Sequence, residues 1–349
     1  MRVMPAQLKE IAIQLVRGLG ASHEEATLVG ENLVRAEMRG VDTHGVNFLK
    51  LLSDRVYAGM VQLPTDLKIL KEDRATVLMD GGNGLGQVAA HRGMSLCIQK
   101  AHEYGVGCTL IRNTNHIGIL AFYTLMAADE GMVGIVMCNA APSMSPWGGA
   151  EAFFGTNPIS IAMPGGKDAP AVILDMSSSV VARGKIRRAQ KMQESIPLGW
   201  ALDETGSPTT DPTAALKGTL LPIGGPKGYG LAFMIDVLTG VLSGSKNGPD
   251  VKTFHQPLGP TGVGVFTMAI DIERFMPLGQ FKPLMDSYIK SIKKSKKAKD
   301  VVRIYLPGEI EFEREKKSLT EGIELDLSVV ESLNQILEKM ESPLRVKER

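Results

Sequence analysis

Two histidines occupy junctions rich in small and polar residues. His44 stands in Asp42-Thr43-His44-Gly45, and His116 in Asn113-Thr114-Asn115-His116-Ile117-Gly118. An imidazole exchanges a proton near neutral pH, so in a loop that faces a substrate it suits general acid–base work. Each histidine alone reads more readily as a structural or capping group; the pair brings proton transfer to equal weight. His23, His91 and His102 fall in helical patterns and read as surface residues, and His255 lies outside them. No HxH or HxxxH spacing supplies paired metal ligands, so no metal site is expected.

Other segments are suited to phosphate. Lys227 lies in Gly224-Gly225-Pro226-Lys227-Gly228-Tyr229-Gly230, which opens a helix. Backbone N–H groups and the positive end of the helix dipole collect there, although a surface lysine in a turn fits the same pattern. Asp175-Met176-Ser177-Ser178-Ser179 follows a strand; its hydroxyls could serve phosphate or ribose, or cap a helix. Trp147 and Trp200, in Gly- and Pro-rich surroundings, suit packing anchors or pocket walls. The glycines at 82, 84 and 86 follow a strand and precede a helix, the setting of a dinucleotide fingerprint. Their pattern is GxGxG rather than GxGxxG, and the next strand ends in Arg112-Asn113 without a ribose-binding acid. An ordinary turn is therefore expected.

Periodicity supplies the elements that must position these groups. The first forty residues read as two helices, the second opened by the capping-box spacing Ser22-His23-Glu24-Glu25. A third helix is expected over residues 46–57, strands over 67–70 and 75–80, a helix over 88–104, and a strand over 106–111. Residues 113–116 read as the cap of a further helix, followed by a strand over 133–138. This alternation suggests an α/β arrangement. Residues 140–158 and 245–264 read as loops, and 290–299 as the solvated face of a basic helix.

The chain has 349 residues, 39 basic against 38 acidic side chains, and 44% hydrophobic content. That supports a full core, excludes a disordered or fibrous chain, and argues against nucleic acid as the main partner. Cys97, Cys108 and Cys138 have no CxxC spacing, which favours reduced, buried thiols. No signal-type apolar stretch opens the chain, and the apolar segment 230–242 carries Asp236 and is too short to span a bilayer. A soluble, cytoplasmic protein without a membrane partner is expected.

Taken in order, the segments resemble the type-2 malate/L-lactate dehydrogenase family, whose relatives include ureidoglycolate dehydrogenase, sulfolactate dehydrogenase, diketogulonate reductase and Δ1-piperideine-2-carboxylate reductases. The resemblance is carried by Arg39-Gly40-Val41-Asp42-Thr43-His44-Gly45-Val46, by the His116 segment, and by Pro146-Trp147-Gly148-Gly149 and Gly155-Thr156-Asn157-Pro158. Asp175-Met176-Ser177, Gly199-Trp200-Ala201, Pro208-Thr209-Thr210-Asp211-Pro212, Lys227-Gly228-Tyr229-Gly230 and Ile304-Tyr305-Leu306-Pro307-Gly308-Glu309 continue it over nearly the whole chain.

The resemblance implies an α/β, non-Rossmann, sulfolactate-dehydrogenase-like fold, with a mostly antiparallel cofactor-binding sheet inserted in a helical domain. It implies a helical substrate and dimer domain from residues 1–115 and 310–349, and an NAD(P)-binding domain over 116–309. The implied activity is NAD- or NADP-dependent interconversion of a small 2-hydroxy acid and its 2-keto acid, by a homodimer. His116 matches the proton-transfer base and His44 a second acid/base group. Thr43, Asn115 and Gly148 match substrate contacts. Asn157, Asp175, Met176, Ser177, Ser178, Ser179, Lys227, Pro307, Gly308 and Glu309 match the cofactor site.

Two places depart from the relatives. Where many carry Arg and Tyr to hold the substrate carboxylate, this chain has Phe48 and Leu52. Either another cation does that work, such as Lys50, Arg55 or Arg183, or the substrate differs. Where relatives often show Gly-His-Phe, this chain has Gly264-Val265-Phe266. The same family also admits reduction of a cyclic imine acid, or a member that keeps the nucleotide site without turnover. A metal-dependent hydrolase has the least support.

Overall fold

The computed structural model describes every residue except Asp168, Pro257 and Arg349. Pro5, whose missing N–H costs nothing in a first turn, opens helix α1 (Pro5–Gly18). A capping box between Ser22 and Glu25 opens α2 (His23–Met38). The 3-10 turn Asp42–His44 interrupts the helical run before α3 (Phe48–Tyr57).

A seven-stranded sheet follows, in the spatial order Lys68–Asp73, Thr76–Asp80, Val106–Thr114, Val263–Asp271, Met132–Cys138, Ile159–Met163, Val172–Met176. It is mixed. Thr76–Asp80 and Val106–Thr114 run parallel, connected through α4 (Gly86–Tyr104), and the other neighbours pair antiparallel. Helix α4 and α5 (Ala121–Asp129) cover the sheet, burying Met94, Tyr123 and Ala127 with Met79, Ile111, Val136 and Val265. Val265, in the Gly264-Val265-Phe266 segment, is thus a core residue. The expected domain boundary at 115/116 runs through this sheet, because Val106–Thr114 lies between Thr76–Asp80 and Val263–Asp271. The physical reason is that a parallel pair needs its crossover helix packed on the same sheet.

Helices α6 (Arg183–Met192) and α7 (Pro212–Lys217) and a three-stranded sheet form a smaller unit around Met144, Phe154, Ile186 and Leu220. Helix α8 (Pro226–Asp236) runs on into a π-helical turn, Val237–Val241. After α9 (Leu278–Lys294) and α10 (Glu309–Glu321), α11 (Leu327–Lys339) returns to the start of the chain. Val330, Leu333 and Leu337 share one core with Leu8, Leu15, Leu33 and Leu52. At about 1.5–3 kcal/mol per fully buried side chain, this apolar contact is what joins the two chain ends. Among the described residues no helix is long and apolar enough to cross a membrane.

Candidate active site

The loop bearing His116 is held from below by Asn115, which is 2% exposed. Its amide nitrogen donates to the Asn83 carbonyl at 3.0 Å and the Gly84 carbonyl at 2.8 Å, and its Oδ1 accepts from the Thr261 hydroxyl at 2.9 Å. A Cβ on Gly86 would lie 2.3 Å from the Asn115 carbonyl oxygen and 2.5 Å from that of His116, so this position must be glycine. The turn 82–86 is therefore the seat of the histidine loop. Asn115, expected as a substrate contact, is a positioning residue whose side chain is fully engaged. The helix expected directly after Asn113 starts only at Ala121, whose N–H donates to Asp175 Oδ2 at 2.8 Å. That carboxylate, from the end of another strand, supplies the N-terminal partner that residues 113–116 do not.

The tertiary fold brings His44 and His116 together with ring centroids 5.2 Å apart. The stack continues through Phe48, 4.6 Å from His116, to Phe254, 4.7 Å from Phe48. The Arg55 guanidinium closes it, 4.6 Å from the Phe254 centroid. Phe48 thus places an apolar ring against His116. Solvent still reaches part of both imidazoles, but protein encloses them. Burial, with His44 and His255 nearby, brings the His116 pKa down to about 3. Burial also lowers that of His44, against the opposing charge of Asp42. Both rings are neutral at pH 7.

The hydrogen bonds distinguish the two rings. The Gly118 N–H donates to His116 Nδ1 at 3.2 Å, so neutral His116 carries its proton on Nε2. In that tautomer it can donate to a substrate oxygen but has no lone pair on Nε2 to take a proton. This conflicts with His116 as the base. His44 Nδ1 lies 3.0 Å from the Thr43 hydroxyl, which can donate or accept. When His44 donates from Nδ1, its Nε2 is free to act as a base. Beneath this loop, burial raises the Glu37 carboxyl pKa to about 7, and the carboxyl accepts from the Val46 N–H at 2.8 Å.

The segments expected to hold the cofactor are joined by backbone pairing. Ile223 N donates to the Ser178 carbonyl at 2.9 Å and Val180 N to that of Leu221 at 2.8 Å, which sets the serine loop beside the start of α8 and Lys227. Ile173 N donates to the Pro307 carbonyl at 3.2 Å, and a Cβ on Gly308 would lie 2.8 Å from the Ile173 carbonyl oxygen. Pro307 and Gly308 therefore lie along the strand that ends in Asp175 and Met176. Lys227 is exposed in the first turn of α8, which has no side-chain cap. Gly224 has open space where a Cβ would stand, and Trp147 flanks Gly225. Uncapped N–H groups, a free cation and an open glycine turn fit the phosphates of a dinucleotide.

Several expected contacts are otherwise engaged. Asn157 is fully buried; its Oδ1 accepts from Ala140 N and its Nδ2 donates to the Ala232 carbonyl, so it braces the fold and does not face a cofactor. The Ser178 and Ser179 hydroxyls donate to the Thr156 and Val181 carbonyls. Ser177 pairs with Ser179 and remains half-buried. Glu309 is taken by Lys293 and Arg303. Gly148, expected at the substrate, lies in the turn beside Trp147, whose ring reaches Gly225.

The sequence left Phe254, and with it the stacked end of the site, without a role. Its only signal was a histidine, His255, in a loop rich in Gly and Pro. Among the described residues no three His, Cys, Asp or Glu side chains group as metal ligands would.

A mixed α/β chain with paired imidazoles and a lysine in an uncapped helix start has the parts a dinucleotide-dependent oxidoreductase needs. The malate/L-lactate dehydrogenase family model matches residues 3–334, and the chain belongs to that family. It is 40% identical to a malate dehydrogenase of Pyrococcus horikoshii over 347 residues, covering 97% of this chain and 95% of that one. The sulfolactate dehydrogenase structure from Methanocaldococcus jannaschii matches with a TM-score of 0.93 at 37% identity, covering 98% of each chain. A malate dehydrogenase structure from Entamoeba histolytica matches with a TM-score of 0.94 at 31% identity, covering 99% of each chain.

Proposed function

We propose that this protein is an NAD(P)-dependent dehydrogenase of small 2-hydroxy acids, and that the imidazole pair handles the hydroxyl proton. The stacked His44 and His116, each with a defined Nδ1 partner, carry this proposal. When bound, the nicotinamide supplies the hydride acceptor. Lys227 and the α8 N-terminus would hold the cofactor's phosphates. Neutral His116 donates from Nε2 to the substrate oxygen and fixes its position. His44 Nε2 takes the hydroxyl proton as the alcohol is oxidised; in the reverse direction the His44 imidazolium returns it to the keto oxygen. The Thr43 hydroxyl can accept from His44 Nδ1, the arrangement that leaves Nε2 open. Phe48 and Phe254 exclude water from one side of the His116 ring, which keeps it neutral.

A homodimer and a cytoplasmic location complete the proposal; they are supported by the family resemblance. Reduction of a cyclic imine acid would use the same donors toward nitrogen. The test is a panel of 2-keto acids and cyclic imine acids with NADH and NADPH, followed at the nicotinamide absorbance. Turnover of at least one 2-keto acid is expected, from a sample with dimer mass in light scattering. Loss of NAD(P)H signal with imines alone would replace the 2-hydroxy acid by an amino-acid product. No turnover across the panel, with cofactor still bound, would leave a nucleotide-binding protein.

A further inference from the structure

Asn32 is fully buried on α2, on a helix that also buries Val29, Leu33 and Ala36, where an apolar side chain would cost less. Its amide is oriented by Tyr123, which is fully buried too. The single Tyr123 hydroxyl proton goes to the Ile117 carbonyl, so the Tyr123 oxygen accepts from Asn32, and the group facing it at 3.3 Å is Nδ2. That leaves Asn32 Oδ1 against Gly118, where a Cβ would stand 1.8 Å from it. Among the described residues Oδ1 has no hydrogen-bond donor, so a hydrogen bond of its own does not explain the contact. Gly118 has φ +72°, and its N–H is the donor on His116 Nδ1. Two buried side chains therefore hold the turn that fixes the His116 tautomer, Ile117 by its carbonyl and Gly118 by close contact. The same helix supports the other imidazole. Glu37, also on α2, accepts from the Val46 N–H at 2.8 Å, and a Cβ on Gly45 would lie 1.9 Å from its Oε1. Each histidine is thus followed, within two residues, by a glycine pressed against a polar side chain of α2. A helix rises by about 1.5 Å per residue and is stiff over a few turns, so α2 sets the separation of two loops that lie far apart in the chain.

We propose that helix α2 is the platform that sets the two imidazoles for proton transfer: Asn32, with Tyr123, positions His116 through Ile117 and Gly118, and Glu37 positions His44 through Gly45 and Val46. This rests on the 2-hydroxy acid dehydrogenase proposal above. The three side chains act through backbone groups, so they are positioning residues. Without the Tyr123 proton on the Ile117 carbonyl, the turn can rotate the Gly118 N–H off Nδ1. Neutral His116 can then carry its proton on Nδ1 and lose the Nε2 donor. Without the Glu37 acceptor, the Val46 N–H is unpaired and the His44 loop can shift against the His116 ring. A displacement of about 1 Å is enough to cost roughly 100-fold in rate.

The test uses Tyr123→Phe, Asn32→Ala, Glu37→Ala and Glu37→Gln, with thermal melting and NADH titration to establish that each variant is folded. Nitrogen NMR of histidine-labelled protein, assigned with His116→Ala, reads the His116 tautomer directly. The wild type should show Nε2 protonated and Nδ1 bare, and Tyr123→Phe and Asn32→Ala should show both tautomers. Their kcat on the best 2-keto acid should fall roughly 10- to 100-fold, with the NADH dissociation constant unchanged. Glu37→Ala should lose kcat to a similar extent while the His116 tautomer stays as in the wild type. Glu37→Gln, which keeps an acceptor for the Val46 N–H, should recover most of that loss. If Asn32→Ala does not fold, Tyr123→Phe, which removes a single oxygen, tests that arm alone. An unchanged tautomer in Tyr123→Phe would overturn the platform, and so would a Glu37→Gln variant as slow as Glu37→Ala. The tautomer measurement needs no turnover. A protein inactive on every 2-keto acid, whose Tyr123→Phe variant still mixes the tautomers, would keep the platform and remove the dehydrogenase reading.

Discussion

At the scale of single residues, the Gly118 N–H on His116 Nδ1 separates two imidazoles that look alike in the sequence. His44→Ala should cut turnover by about 10²–10⁴-fold, the usual worth of a proton-transfer group. His116→Ala should also cut turnover, because it removes the donor to the substrate oxygen, and should leave NADH binding nearly intact. The two losses should not add in the double variant, since the rings act on one oxygen. The pH dependence belongs mainly to His44. Its pKa lies below the ordinary 6.5, so the neutral form needed for oxidation persists into mild acid. The acid limb of kcat/KM for oxidation should therefore fall below pH 6.5, and reduction, which needs the imidazolium, should speed up over the same interval. Asp42 opposes this shift, so Asp42→Asn should move the limb lower still. Steady-state pH profiles of these variants are the check; an acid limb that persists unchanged in a still-active His44→Ala would transfer the proton to another group.

At the scale of elements, the chemistry is placed where helices begin and loops are seated. Helix α8 starts with Pro226 and a first turn without a side-chain cap, and exposed Lys227 directly follows the open glycine turn in the chain. Lys227→Ala should weaken NAD(P)H binding by about 10- to 100-fold, equivalent to losing one charged hydrogen bond of about 1.5–3 kcal/mol. Fluorescence titration measures this directly, and an unchanged dissociation constant would remove Lys227 from the site. The α8 start and the capping box of α2 are legible in the sequence because their signals are local. The start of α5 is not, because Asp175, its N-terminal partner, lies 54 residues further along the chain. The glycines at 82, 84 and 86 likewise imitate a nucleotide fingerprint until their neighbours are known. They are glycines because Thr65, Asp66, Asn115 and His116 press against them.

At the scale of the whole molecule, the two chain ends close on each other. Arg39, 3% exposed, donates to Glu315 at 2.7 Å, and Arg35 donates to the same carboxylate at 2.9 Å. Glu315→Ala would leave the Arg39 charge buried without a partner and should cost about 3–5 kcal/mol. A clear drop in the thermal midpoint is expected; a midpoint within a degree of wild type would show that Arg39 finds other compensation. The same closure sets His44 beside His116. By itself the sequence determined the helices with regular apolar spacing, the histidine junctions and the family resemblance. These depend on residue type and short spacing, which chain order preserves. Only the tertiary structure decided that His116 carries its proton on Nε2. It also decided that Asn115 and Asn157 are braces, that Val106–Thr114 belongs to the main sheet, and that Phe254 borders the site. Each of these depends on which distant groups satisfy a buried donor, acceptor or charge, and that pairing exists only once the chain has folded.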